Sequence, residues 1–78
     1  MPTVLIDGPY SFVFFGSDGG EPPHIHVKQD RQIAKFWLDP VALAKNRGFA
    51  GHELNRIARL VAKHEQNLQE AWHEYFGA

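Results

Sequence analysis

The chain has 78 residues, a net charge of −1, 44% hydrophobic and 13% aromatic residues, and no cysteine. That composition fits one domain, residues 1–78, with material for a core. It excludes disulfides, thiolate zinc sites and any global electrostatic pull toward nucleic acid or membrane.

A domain this small buries only about 60% of its unfolded surface, so packing, self-association or a partner must supply the rest of its stability. The opening stretch MPTVLIDGPY has no basic region and no long apolar run. Neither a signal peptide nor a membrane span is expected, and the expected compartment is cytoplasmic. Five histidines are the one compositional oddity.

TVLI (3–6) is a short β-branched run, read as an edge strand or an ordered arm, which Asp7-Gly8-Pro9 ends. YSFVFF (10–15) is aromatic-rich and reads as a strand. GSDGGEPP (16–23) reads as a loop; it lacks the lysine and hydroxyl residue of a phosphate-cradling loop. HIHVKQ (24–29) and QIAKFWL (32–38) read as two strands joined tightly at Asp30-Arg31. A two- or four-residue connection sets 28 against 33, 26 against 35 and 24 against 37. One face then carries His24, His26, Lys28, Ile33, Lys35 and Trp37. The other carries only the apolar Ile25, Val27, Ala34, Phe36 and Leu38, which must meet helices.

Asp39-Pro40 has the chemistry of a helix start, so a short helix is expected over 40–47, ended by Gly48. A long helix is expected over 51–76, with an apolar stripe at 54, 57, 58, 61, 68, 71, 72, 75 and 76. His64 and Glu65 flank that stripe where an apolar residue would be expected. The expected fold is α+β: an antiparallel sheet of three strands, or four if TVLI joins it, with both helices packed on one face.

The runs EPPHIHV, AKFWLDPVALAKNRGF and AWHEYF resemble the bacterial domain of unknown function 4160 family over about residues 10–76. The positions that carry the likeness are Pro22, Pro23, His24, His26, Lys35, Trp37, Asp39 and Pro40. The sequence departs from the family pattern in the turn QDRQ, which lacks glycine, and at Ala50, where a helix-capping serine would stand. The resemblance implies a small cytoplasmic bacterial protein, without an assigned activity. It also implies a protein partner encoded nearby, of the domain of unknown function 2442 type, in a module of toxin–antitoxin kind.

Alternate strand positions put His24 and His26 on one side, about 6.5–7 Å apart. Two imidazoles at that spacing can converge on a metal, with the third ligand drawn from Asp18, Glu21 or a helix histidine. They can also serve as acid and base in RNA cleavage, with Lys35 and Lys28 holding phosphate and Trp37 stacking a base. The ordinary reading is the polar side of an antiparallel sheet, wet or covered by a partner anchored on Trp37. Trp37 is equally well read as core, sealed by TVLI or by Trp72. Arg56, Arg59 and Lys63 share a helix face with His52; they can contact phosphates or an acidic partner, although such a face is more often merely solvated.

The leading expectation is a toxin–antitoxin component that binds a protein partner, and RNA besides, through the exposed sheet face. One alternative is a metal-independent endoribonuclease using His24, His26 and Lys35. The other is a homodimeric metal-binding or structural module. No cofactor is expected.

Overall fold

The computed structural model describes residues 3–77. Five strands form one antiparallel sheet in sequence order: β1 (Thr3–Asp7), β2 (Tyr10–Val13), β3 (His24–Gln29), β4 (Gln32–Leu38) and β5 (Val41–Arg47). Two helices follow, α1 (Gly51–Lys63) and α2 (Glu65–Phe76). The fold is therefore α+β with an antiparallel sheet, but with more strands than the sequence reading allowed.

The β3–β4 hairpin has the expected register, with His24 opposite Trp37, His26 opposite Lys35 and Lys28 opposite Ile33. Asp30 takes a positive φ of 54°, a conformation that aspartate adopts more readily than most non-glycine residues. That lets a two-residue turn close without glycine. Ile25, Val27, Ala34, Phe36 and Leu38 are all buried, as their alternation requires. They join Phe12 and Phe14 of the β2 region with Ile57, Val61, Leu68 and Trp72 of the helices in one core cluster. Fully burying each valine, leucine, isoleucine or phenylalanine among them stabilises the fold by about 1.5–3 kcal/mol. Phe14 meets Trp72 edge to face, with ring centroids 5.4 Å apart.

Residues 41–47 form a strand, not the short helix expected over 40–47. Asp39 and Pro40 are the two-residue connection between Leu38 and Val41, which pair, and the bond between them is cis. Ala, Leu and Lys favour a helix, but so short a helix gains little from propensity alone. Pairing with β4 instead satisfies a whole row of backbone donors and acceptors. Asn46 then locks the exit, accepting from the Phe49 amide at 3.1 Å and donating to the Phe49 carbonyl at 3.0 Å. Gly48, expected as a helix cap, instead turns the chain out of the sheet with φ 100°.

The expected long helix is interrupted at His64, whose φ of −101° and ψ of 9° leave the helical basin. The apolar stripe lapses at this residue. Its ring turns to Asp7 instead, with Nε2 2.8 Å from Oδ2. Leu68 and Trp72 beyond the break are buried.

Candidate functional site

The site lies where the β2–β3 connection folds back over the start of β3. The segment Gly16–Gly20 forms a 3-10 turn. Asp18 organises it: its carboxylate accepts the Phe15 amide at 2.9 Å, and its own amide donates to the Phe15 carbonyl at 3.0 Å. Gly19 packs against the end of α2, where an added Cβ would lie 2.8 Å from a Phe76 ring carbon. This places Asp18 over two alternate side chains of β3. His24 Nε2 is 3.2 Å from Asp18 Oδ1, and His26 Nε2 is 3.3 Å from Asp18 Oδ2.

Aromatic rings surround the pair. The Phe15 ring is 4.3 Å from that of His26, while Trp37 and Trp72 lie 5.6 and 5.0 Å from His24. His24 is 0% exposed and Asp18 9%. His24 and His26 do share the polar side of the sheet, as the register demanded, but His24 is sealed and not part of an exposed face. Trp37 is half-buried. It is not covered by TVLI, which pairs with β2 as the far edge strand.

His24 Nδ1 is 2.9 Å from the Pro22 carbonyl, which can only accept, so the ring donates from Nδ1. Its Nε2 then faces Asp18. Although both Nε2 atoms are close to the carboxylate, neither approach has hydrogen-bond geometry, and both atoms are buried. Burial works to raise the Asp18 pKa, but the hydrogen bond from the Phe15 amide leads the causes that bring it below the usual value. Burial is also the main reason that the His26 pKa is lowered, with Asp18 opposing.

Lys35 reaches away from this cluster. Its Nζ is 2.6 Å from Glu21 Oε1 and 4.6 Å from the centre of the Trp37 ring. The Lys35 hydrogen bond holds the Glu21 pKa below the ordinary carboxylate range. Across the sheet, His26 opposes Lys35 and Lys35 opposes Lys45. A hollow of about 430 Å³ on this side is lined by Phe15, His26, Ile33, Lys35, Lys45 and Arg47, among others. Lys28 belongs to the same face by register. Among the described residues, no ion pair engages Lys28, Lys45 or Arg47.

Arg56, Arg59 and Lys63 are not brought to this face. They are exposed on α1, whose Ile57 and Val61 point into the core, and Lys63 Nζ is 3.7 Å from Asp7. Lys45 and Arg47 are not expected at this face from the sequence, because a helix over 40–47 would not set them on a sheet; residues 41–47 form a strand. Their spacing of two is the signal that would have placed them on one side of a strand. Asp18 was only one of several candidate third ligands, since a loop's spacing does not say where it folds back.

Among the described residues, no helix is long and apolar enough to cross a membrane. Neither the curated proteins nor the solved structures include one that matches this chain. The family model described as domain of unknown function (DUF4160) matches residues 10–73, which takes in β2 to β5, the Asp18 turn and most of both helices. The chain belongs to the domain of unknown function 4160 family.

Proposed function

We propose that the outer side of the sheet binds the phosphate backbone of single-stranded RNA, and that the chain is the RNA-contacting component of a small two-protein module of toxin–antitoxin type. The observation that carries this reading is the gathering of Lys28, Lys35, Lys45 and Arg47 on one sheet face in a chain whose net charge is −1. Their opposing acidic groups are few, since Glu21 engages Lys35 and Asp18 is turned to the histidines. Half-buried Trp37 and Phe15 supply ring surface at the same face, as base stacking requires. The partner protein, of the domain of unknown function 2442 type, would modulate access to this face.

The alternative of a metal-independent endoribonuclease draws less support. His24 has no exposed surface from which to reach a ribose hydroxyl.

The test is fluorescence anisotropy of a labelled single-stranded RNA against salt concentration. Three or four phosphate contacts predict a log–log slope of about −2 to −3. Lys45→Glu with Arg47→Glu should weaken binding at least tenfold, whereas Arg56→Glu with Arg59→Glu should change it little. Binding that is absent, or indifferent to the β5 substitutions, refutes the reading. Co-expression with the neighbouring gene, and growth assays of each alone and together, test the two-protein part.

A further inference from the structure

We propose that Asp18, His24 and His26 form a binding site for one divalent transition-metal ion of the zinc class. This inference is independent of the RNA reading. Three observations carry it. First, one donor atom from each residue lies within 4.8 Å of the other two. Zinc bonds of about 2.0–2.1 Å at tetrahedral angles put neighbouring donors about 3.3 Å apart. His24 Nε2 is 3.2 Å from Asp18 Oδ1 and His26 Nε2 is 3.3 Å from Asp18 Oδ2, so each ring faces its own oxygen of one carboxylate at that spacing, and the ion would sit between the rings and both oxygens.

Second, the His24 ring is set for ligation. Its Nδ1–H is spent on the Pro22 carbonyl at 2.9 Å, so in the neutral ring Nε2 is the nitrogen left to bind an ion, and that atom faces the carboxylate. Histidine ligands commonly donate their other nitrogen to a carbonyl in this way, and the bond fixes both tautomer and ring orientation. Asp18 is likewise held by the Phe15 amide at 2.9 Å.

Third, the two Nε2 atoms are buried without a directed hydrogen bond. Buried polar atoms without partners are costly and uncommon, so such a pair aimed at one carboxylate calls for an explanation. Imidazolium–carboxylate pairing would be expected to give directed N–H···O bonds. A cation between lone pairs needs none. Nitrogen and oxygen donors without thiolate suit zinc, cobalt(II) and nickel(II) better than the hard ions magnesium and calcium. Three protein donors leave a further position, and His26 lines the hollow on the outer face from which an ion can enter.

Cobalt(II) titration of the chelator-treated full chain tests the site, because four-coordinate cobalt absorbs far more strongly in the visible than the six-coordinate ion. The expected result is one equivalent bound with the strong four-coordinate spectrum, displaced by zinc, and a higher Tm for the zinc-loaded chain. His26→Gln and Asp18→Asn should each lower affinity at least tenfold, while His52→Ala, on exposed α1 surface, should retain it. His26 is only partly buried, so His26→Gln is the variant best placed to stay folded, and circular dichroism checks that it does. The wild-type spectrum stands as a readout even if both variants unfold. Failure to bind cobalt, a weak six-coordinate spectrum, or binding that survives His26→Gln and Asp18→Asn overturns the proposal.

Discussion

The His64 ring meets the Asp7 carboxylate at 2.8 Å, joining the end of the first strand to the break between the two helices. Asp7 sits at the sheet margin, 57 residues earlier in the chain. The contact shows why the break falls where it does: the ring that departs from the apolar stripe has a partner on the sheet. His64→Leu restores an apolar residue to the stripe but leaves Asp7 without its ring partner. We expect a lower Tm for that variant by thermal unfolding, and little further loss in the double variant His64→Leu with Asp7→Asn.

The same pair gives an acid dependence. The Asp7 pKa is lowered chiefly by the His64 hydrogen bond, with burial opposing. A carboxylate with a depressed folded-state pKa contributes stability above its unfolded pKa, near 3.8, and that contribution is lost as pH falls through the folded value. Stability should therefore decline below about pH 4, and Asp7→Asn should lessen that decline, leaving the part that the depressed Asp18 and Glu21 carboxyls contribute. Tyr10 acts at the other end. Burial first, and then its hydrogen bond to Glu53, raise its pKa above 10.0. Its contribution is present below pH 10 and declines above that, which Tyr10→Phe should abolish in alkaline unfolding curves.

Glycines separate by backbone need. Gly48 has φ 100°, and an added Cβ would lie 3.0 Å from Gln32 Cγ. Gly48→Ala should destabilise by about 1 kcal/mol or more. Gly51, at the start of α1, has open space around it and no positive φ. Gly51→Ala should stabilise by about 0.4–1 kcal/mol, so denaturant midpoints should move in opposite directions for the two variants.

Ala50 caps α1 with extended φ and ψ of −74° and 159°, and it makes no side-chain cap bond. The Glu53 amide now donates to the Ala50 carbonyl at 3.1 Å. A serine hydroxyl at this position can reach the first-turn amides, so Ala50→Ser should add about 1 kcal/mol. Urea unfolding checks this; an unchanged midpoint would mean that the cap geometry does not form.

Core truncation sets the scale for these effects. Phe14 packs against Trp72 and Phe76 at ring distances of 5.4 and 5.7 Å and is 1% exposed. Phe14→Ala should cost about 3–5 kcal/mol. In a domain of this size that is most of the stability, and the chain should be largely unfolded at 37 °C. Near-ultraviolet circular dichroism of the tryptophans is the measurement.

Much of the fold was legible where one face had to be buried. Alternation from His24 to Leu38 dictated strand pairing, register and core face, because a slip of one residue would expose Ile25 and Phe36. The stretch 41–47 was not legible, since its residues suit a helix and its pairing depends on a partner strand. The break at His64 left only a lapse in the stripe. The histidine pair could be placed on one side of β3, but its burial depended on how 16–20 folds back. That path is set by contacts such as Gly19 against Phe76, which no local pattern records.

β5 borders the sheet, so one row of its amides and carbonyls has no neighbouring strand among the described residues. Such a margin is a template on which a second molecule can polymerise. Lys45 and Arg47, together with the register irregularity near Lys35, oppose that growth by repulsion and by bending the rim. The exposed Leu43 is the weak point of this defence. Replacing Lys45 and Arg47 with neutral residues should therefore favour fibril formation at high concentration.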